Sequence, residues 1–456
     1  MSGTFSELST ALSALRYNRV AMDVASGNIS NASTDGYARH TVIGQATGAP
    51  AAPAIWSRWE GAGDGVEASR VDRVDDQLLD IRARTEHANS SYLGTRATSL
   101  QRFETTIGEP GANGVAAALA DFQAGWQDVG NHPGDDAARS QLLARASTLQ
   151  AAIKQQADAV STEWSDQRTS LTSLVDQVNQ TAQNLASLNR ALQVAHVAGT
   201  DANTLLDRRD QLALKLSELT GATVDVGSDT TLTVTVGNQT LVSGTTANAM
   251  SLSGATTLTA QASNPVQLSL GGTPLTLGAG QIGATQTLLG GDLPGYLSKL
   301  DGFVNTLATT VNAQQAQGVD LNGATTKFFT GTTAMTLQVA ITDPAEIAAA
   351  TPGQGALDGS NADAMSAALD PAAADYRSLV TNFGVTVAST QQLSQNQDAL
   401  TAQVDSSRES LSGVSIDEEM VNLMAAQRGY EGASRVLTTV DSMLDTLINR
   451  TGLVGR

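Results

Sequence analysis

The stretch GVSIDEEMVNLMAAQRGYEGASRVLTTVDSMLDTLINRTG, residues 413–452, has the pattern of one long helix. Ser415 and Glu418 stand at the spacing of a capping box, in which side chains satisfy the free N–H groups of a helix start. Apolar side chains then return in steps of three and four, and a second apolar stripe lies beside the first. This spacing predicts a coiled-coil helix with more than one buried face. The seam positions are Ile416, Met420, Leu423, Gln427, Tyr430, Ser434, Leu437, Asp441, Leu444 and Ile448, and the second stripe is Val436, Val440, Met443 and Leu447.

Two glycines, Gly429 and Gly432, lie inside this predicted helix. Glycine within a helix costs about 1 kcal/mol relative to alanine. Either the close approach of another helix or a plain kink would explain the pair.

A matching helix is predicted at the other end of the sequence. Thr4 and Glu7 form a second capping-box pair, and neither proline nor glycine occurs between Gly3 and Gly27. At 1.5 Å per residue such a helix spans roughly 35 Å. The heptad positions are Phe5, Leu8, Leu12, Leu15 and Met22, with Arg19 as the one gap. Two heptad helices predict a nested layout, in which the chain leaves along one axis and returns along it. Because such stripes are narrow, we expect the helices to pair only in an assembly.

A dense group of turn-forming residues follows the first helix in SGNISNASTDGYARH, residues 26–40. Asn28 and Asn31 tolerate left-handed backbone geometry and can cap the carbonyls of a helix end. The pair Asp35-Gly36 predicts a turn. Tyr37 is either a single buried ring or an anchor in a protein contact. We expect this stretch to join an assembly helix to the body of the protein.

The middle of the chain changes character twice. Residues 66–220 and 292–411 have helical spacing, including a stripe of Val71, Val74, Leu78 and Ile81 and another of Leu174, Val178, Leu185, Leu188 and Leu192. Residues 221–291 are rich in Thr, Gly, Leu, Val and Ser. Leu232, Val234 and Val236 alternate there with threonines, and Gly237-Asn238 predicts a two-residue hairpin turn. A further short strand-like stretch lies near residues 327–341.

These patterns predict a mainly α fold with a β insert, organised as nested domains. Residues 1–65 and 412–456 would form a terminal coiled-coil assembly domain. Residues 66–220 and 292–411 would form an elongated helical-bundle body, and residues 221–291 a small inserted β domain.

Composition excludes several classes of function. The 456 residues include 45 acidic and 26 basic side chains, and the net charge of −19 argues against binding to nucleic acid or to anionic membranes. The absence of cysteine excludes disulfides, thiolate zinc sites and cysteine nucleophiles. No apolar run approaches the ~20 residues of a membrane span, so no membrane insertion is expected. No cleavable signal peptide is predicted either.

The sequence offers no catalytic, cofactor or metal site. The four histidines, His40, His87, His132 and His196, do not stand at metal-binding spacing, and no nucleophile elbow occurs. Acidic pairs such as Glu418-Glu419 lie near helix starts, where the helix dipole accounts for them. Arg208-Arg209 stands between Asp207 and Asp210, which we interpret as a solvated, self-neutralising helix face. We therefore expect no enzyme.

Three stretches together resemble one protein family. Residues Asn28, Asn31, Thr34, Gly36 and Tyr37 are similar to the N-terminal signature of bacterial flagellar axial proteins, and residues 416–449 are similar to their C-terminal signature. NTLLDRRDQLALKLSELTGATVDV, residues 203–226, resembles the motif of the hook-associated protein type 1 family. Arg39 suits that family better than hook or rod proteins, and residues 132–150 resemble its helical domain. The motif positions on the third stretch are Leu205, Leu206, Asp207, Arg209 and Asp210.

The resemblance implies a structural protein of the bacterial flagellum, at the junction between hook and filament. It implies export through the flagellar type III apparatus without signal cleavage, an extracellular location and assembly into a short tube through the terminal helices. The implied partners are further copies of the chain, the hook protein, the second hook–filament junction protein, and an export chaperone that binds near the C-terminus. The expected assembly positions are Phe5, Leu8, Leu12, Leu15, Met22, Met420, Leu423, Tyr430, Leu437, Leu444 and Leu447.

Two alternatives stay open at this point. The chain could be another axial protein, such as hook protein or flagellin, although residues 203–226 argue against it. Less favoured is an exported enzyme that acts on the cell wall through a pair of carboxylates. The chain is short for the resembling family, so its outer variable region would be reduced to the small β insert.

Overall fold

The computed structural model describes residues 2–47 and 65–449, and most of these residues are helical. The helices of the described part of the chain are α1 (Ser2–Asn31), α2 (Gln77–Ile107), α3 (Val115–Asn131), α4 (Asp136–Ala198), α5 (Asn203–Thr220), α6 (Gly280–Thr287), α7 (Leu293–Gln315), α8 (Ser360–Ala368), α9 (Asp370–Ser412) and α10 (Ile416–Asn449). A π-helical turn, Leu288–Asp292, joins α6 to α7. The prediction of a mainly α fold with a β insert is confirmed.

The strands form small antiparallel sheets. β1 (His40–Thr47) pairs with β2 (Gly65–Arg73). The insert contains a four-stranded sheet of β3 (Thr223–Val226), β4 (Leu232–Val236), β5 (Gln239–Ser243) and β6 (Thr246–Ala247), and a three-stranded sheet of β7 (Met250–Ser253), β8 (Gln267–Leu270) and β9 (Thr273–Leu275). β10 (Phe329–Thr330) pairs with β11 (Gln338–Val339), where the strand-like stretch was predicted.

Helices α1 and α10 lie antiparallel against each other and are called the terminal pair below. Asn28 near the end of α1 contacts Glu419 near the start of α10, and Asn18 lies beside Gly429. The pairing occurs within one chain, so the expectation that these helices pair only in an assembly is wrong.

Small residues form the seam of the terminal pair. Ala11 and Ala25 of α1 are buried, as are Ala426, Ala433 and Val440 of α10. The three α10 positions are spaced by seven residues, as a coiled-coil seam requires. Small side chains allow two helix backbones to approach closely.

The buried seam lies one residue away from the seam that the sequence predicted. Leu12, Met420, Tyr430 and Ile448 are exposed, Met420 to 49% and Ile448 to 75%. Leu8, Leu15, Met22, Leu423, Leu437 and Leu444 are half-buried, whereas the side chains of Phe5 and Leu447 lie outside the described residues. The bulky residues therefore flank the seam instead of filling it, because close packing of the two backbones selects the alanines.

The two mid-helix glycines of α10 have different surroundings. A Cβ atom on Gly429 would lie 2.5 Å from Oδ1 of Asn18, whereas nothing lies within 4 Å of such an atom on Gly432. Close approach of another helix therefore explains Gly429 and not Gly432.

Helix starts were predicted with mixed success. Glu418 donates its backbone N–H to Oγ of Ser415 over 3.4 Å, which confirms the serine cap of α10. The cap at Thr4 was wrong, because α1 already begins at Ser2. The predicted helical stripe from Val71 was also wrong in its first part. Val71 lies in β2, and α2 begins only after Asp76, whose carboxylate accepts two backbone N–H groups of its first turn.

The β insert packs on α4, the longest helix of the described chain. Leu232, Val234 and Val236 are buried as their alternation predicts, and β4 turns into β5 at Gly237, which has φ +59°. Asn189 of α4 is fully buried and bonds both backbone groups of Leu232. One apolar core runs without a break from the helical body into the insert. Because this core is shared, it does not separate the body from the insert, and the domain boundaries remain a prediction.

The glycine difference in α10 can be tested with a matched pair of variants. Gly429→Leu is expected to separate α1 from α10, because its side chain must displace Asn18. Gly432→Leu is expected to keep the pair and to gain up to about 1 kcal/mol of helix propensity. The measurement is the rate of tryptic cleavage at Arg19 and Arg435. Equal rates in the two variants would show that the helices do not approach at Gly429.

Candidate functional site

Asn28 lies at the centre of a cluster that connects the terminal pair to the rest of the chain. Its Oδ1 accepts the backbone N–H of His40 over 3.0 Å and the hydroxyl of Tyr37 over 2.8 Å. Its Nδ2 donates to the backbone carbonyl of His40 over 2.8 Å and to Oε2 of Glu419 over 3.1 Å. The amide thus uses both acceptor positions and both donors while it is fully buried. We call Asn28, Tyr37, His40, Asp207 and Glu419 the polar joint.

The two asparagines therefore differ from their predicted role as left-handed caps. Both lie within α1, and Thr230 is the one non-glycine residue of the described ranges with positive φ. Asn31 does satisfy a carbonyl, since its Nδ2 donates to Gly27 over 3.0 Å. Asn28 instead holds the start of β1 and the start of α10. Thr34 is exposed and donates its hydroxyl to Oδ1 of Asn31.

Gly36 forms the predicted turn for two physical reasons. Its φ of +72° is a conformation that side-chain-bearing residues rarely adopt. A Cβ atom there would also lie 2.6 Å from Cγ of Gln211 on α5. The Gln211 amide donates to the carbonyl of Asp35, so the turn rests against α5.

The charged residues of α5 are buried at the joint, so their interpretation as a solvated face was wrong. Asp207 and Arg209 are 6% and 7% exposed, and Arg208 alone points to solvent. Arg73 at the end of β2 lies between two carboxylates. Its Nε is 2.9 Å from Oδ1 of Asp207, and its guanidinium donates to Oδ2 of Asp210 over 2.9 Å.

Further contacts complete this ion-pair network. His40 Nε2 lies 3.5 Å from the second carboxylate oxygen of Asp207. Arg209 donates to Oδ1 of Asp210 and, over 2.6 Å, to the carbonyl of Thr230 in the β insert. Leu205 and Leu206 are half-buried on the same helix. The motif of α5 and the turn motif, separated by some 170 residues of sequence, are therefore brought together.

The electrostatics of the joint favour fixed protonation states. Burial, followed by the negative charges of Asp207 and Glu419, raises the pKa of Tyr37 to about 12. Its phenol therefore stays a proton donor to Asn28 at neutral pH. Burial alone would lower the pKa of Arg73, but Asp210 and Asp207 outweigh it and keep that pKa above its ordinary value.

Arg39 connects three crossing segments of chain. Its backbone N–H donates to Ser412 over 2.8 Å, and its carbonyl accepts from Val74 over 2.9 Å. Its guanidinium donates to Glu418 over 3.2 Å. The outgoing chain, the start of the body and the returning chain thus meet at one residue.

The end of α9 is held against α2 and α5 by a second group of charges. Arg408 Nε donates to Asp80 over 2.9 Å. His87 Nε2 is 3.0 Å from Asp405, and its Nδ1 is 3.5 Å from Glu218. The hydrogen bond to Glu218 raises the pKa of His87, burial opposes it, and Asp405 raises it further.

The polar joint holds chain segments that are distant in sequence against one another. Within residues 2–47 and 65–449, no group of three or more His, Asp or Glu side chains is placed to hold a metal ion. None of the helices in this part of the chain is long and apolar enough to cross a membrane. The arrangement fixes where the terminal pair stands relative to the body.

Loss of the Asn28 amide should loosen this arrangement. Asn28→Ala leaves the buried His40 N–H and Glu419 without their partner, and each such loss costs about 1–3 kcal/mol. We expect faster hydrogen exchange at the start of β1 and in the first turns of α10. Asn31→Ala is the control, because that side chain bonds only to the carbonyl of Gly27 and to the exposed hydroxyl of Thr34, both close in sequence. Equal effects of the two variants would contradict a central role for Asn28.

His87 makes the stability of the folded protein depend on pH. Because the folded-state pKa is raised, its stabilisation is complete below the unfolded pKa of about 6.5 and is lost as pH rises through the folded value. The denaturation midpoint should fall over that window in the unmodified protein and stay flatter in His87→Gln. His132→Gln, at an exposed position, should behave as the unmodified protein does. If the denaturation midpoint of His87→Gln depended on pH as that of the unmodified protein does, His87 would not be the source of the pH dependence.

Three segments of the chain match known protein families. Residues 100–329, half of the chain, match the family described as flagellar hook-associated protein FlgK helical domain. Residues 8–37 match the flagella basal body rod protein family, and residues 406–450 match the C-terminal family of flagellar basal body rod FlgEFG proteins.

Individual relatives agree with the family matches. Flagellar hook-associated protein 1 of Bacillus subtilis strain 168 is 26% identical over 510 residues, which cover 100% of both chains. The protein of that name from Escherichia coli strain K12 is 25% identical over 552 residues, covering 97% of this chain and 99% of the relative. The solved flagellar hook junction protein FlgK from Burkholderia pseudomallei has a similar fold, with a TM-score of 0.64 at 16% identity over 74% of this chain and 100% of that one.

These matches confirm the resemblance that the sequence motifs indicated. The turn motif and α10 lie in the segments shared with flagellar rod proteins, and the α5 motif lies in the FlgK helical domain. The chain belongs to the flagellar hook-associated protein FlgK family.

Proposed function

We propose that this protein builds the junction zone between flagellar hook and filament, by polymerising through its terminal pair. The observation that carries the proposal is the outer face of α10. Seven large apolar side chains of the described part of α10 are 48% to 75% exposed, namely Ile416, Met420, Val421, Met424, Val436, Met443 and Ile448. Met420, Val421 and Met424 lie within five consecutive residues, and adjacent exposed apolar side chains on a soluble protein often mark an interaction site.

The energetics favour repeated contacts between copies. Full burial of an aliphatic side chain contributes about 1.5–3 kcal/mol. Since the seam residues already satisfy the α1 contact, the outer face remains free for a neighbouring subunit. Head-to-tail contacts that repeat with a constant rotation and rise generate a tube. Leu12, Met420 and Tyr430, which we expected in the seam, are here proposed as contacts between subunits.

The polar joint supports this role because it holds the terminal pair in one orientation relative to the body. A tube with one repeating geometry requires each terminal pair to stand at the same angle to its body. Asn28, Arg39 and Asp207 fix that angle by bonds to both the outgoing and the returning chain. The proposed domain division follows, with residues 1–65 and 412–456 as the assembly domain, although residues 48–64 and 450–456 lie outside the described part. Residues 66–220 and 292–411 form the proposed body, and residues 221–291 the proposed insert.

The proposed partners are further copies of the chain, the hook protein on one side and the second junction protein on the other. An export chaperone that covers α10 before secretion would protect its apolar face in the cell. We further propose export through the flagellar type III route without signal cleavage, to an extracellular site on the flagellum. Membership of the FlgK family supports each of these assignments.

A deletion strain tests the proposal and separates it from another axial role. Cells without this protein should keep hooks, lack filaments and release flagellin monomers into the medium. The measurement is electron microscopy of the cells together with immunoblotting of the medium, with the complemented strain as control. Loss of hooks would instead identify a hook or rod protein, and normal filaments would overturn the junction role.

A further inference from the structure

We propose that an uncharged stripe on the outer face of α9 is the surface through which the bodies of two neighbouring copies pack side by side. The inference rests on the proposed self-assembly and names a second contact, away from the terminal pair. The α9 stripe consists of Ser378, Asn382, Val385, Ser389, Leu393, Asn396, Leu400, Gln403, Ser407 and Leu411.

The α9 stripe has the spacing of one continuous helix face. Its ten positions follow each other in steps of three or four residues, which places them along a single side of the helix. All ten are exposed. Val385, Leu393, Leu400 and Leu411 are 44% to 62% exposed, although each carries a large apolar side chain.

Folding of the chain does not require this face. The opposite side of α9 makes the intramolecular contacts, where Gln397 donates to Glu86 over 2.6 Å and Thr401 donates to the carbonyl of Glu86. Val387 and Val404 are buried on that inner side. The leucines of the α9 stripe keep 44% to 53% of their surface exposed in the isolated chain.

Charge identifies the occupant as a second copy of the chain. Each copy carries a net charge of −19, so two copies repel wherever their carboxylates approach within the Debye length of about 8 Å. A face without any charged side chain removes this repulsion locally. A basic partner would gain nothing from such a face, whereas serine, asparagine and glutamine can pair with their own kind.

The position of the α9 stripe also agrees with a contact between copies. Leu411 lies one residue before the end of α9, and the exposed Ile416 opens α10. Three residues of sequence thus separate the end of α9 from the start of α10. One neighbouring subunit can cover both surfaces.

The absence of cysteine from the sequence allows a clean cross-linking test. Leu400→Cys is labelled with a photoreactive benzophenone maleimide, incorporated into flagella in a deletion strain, and irradiated. Ala402→Cys, exposed on another flank of the same helix, is the matched control. We expect a product of twice the chain's mass from the Leu400 position, about tenfold more than from Ala402. Adding Leu393→Glu should lower that yield by about tenfold, because a carboxylate in a contact between acidic copies is repelled. Gln395→Glu adds the same charge off the α9 stripe and should not.

The outcomes separate this inference from the proposed function. If the labelled protein is in the flagella but gives equal products at both positions, or no product from Leu400, the inference is wrong while the junction role stands. A product whose mass differs from twice that of the chain identifies another partner and likewise overturns it. If the protein is absent from flagella, both the proposed function and the inference fail.

Discussion

The saturated amide of Asn28 is the constraint on which the arrangement of this protein depends. A buried asparagine has two donors and two acceptor positions to satisfy, and here the partners come from the turn, from β1 and from α10. Moving any of these segments would leave buried polar groups unpaired, which costs more than the bonds themselves contribute. The turn, the start of β1 and the two helices of the terminal pair are therefore fixed to one another by a single side chain.

The terminal pair shows why a hydrophobic repeat does not identify its own partner. Both terminal helices carry apolar residues on adjacent stripes, and the sequence prediction assigned the larger residues to the seam. The structure places alanines in it instead, and the side chain of Asn18 occupies the space beside Gly429. Large side chains such as Met420 then face outward. A heptad pattern thus predicted the two helices, but neither their pairing within one chain nor which stripe forms the seam.

Several predictions that depend on neighbouring residues were confirmed. The alternation of Leu232, Val234 and Val236, the turn at Gly237 and the serine cap at Ser415 depend on residues close in sequence. The ion pairs of Asp207 were missed because their partner Arg73 lies some 130 residues away. A run of alternating charges is usually solvated, and nothing within residues 205–210 indicates that Arg73 will be buried against it. Likewise, residues 65–73 form a strand because β1 lies beside them, not because of their own pattern.

Arg209 connects the ion pairs beside the polar joint with the β insert. Its guanidinium donates to Asp210, which also accepts a hydrogen bond from Arg73. The same guanidinium donates to the carbonyl of Thr230, which lies just before β4 of the insert. Asn179 and Asn189 of α4 bond the backbones of Met250 and Leu232, so that each of the insert's larger sheets is held by one asparagine. These bonds and the shared apolar core connect the insert to α4 and α5.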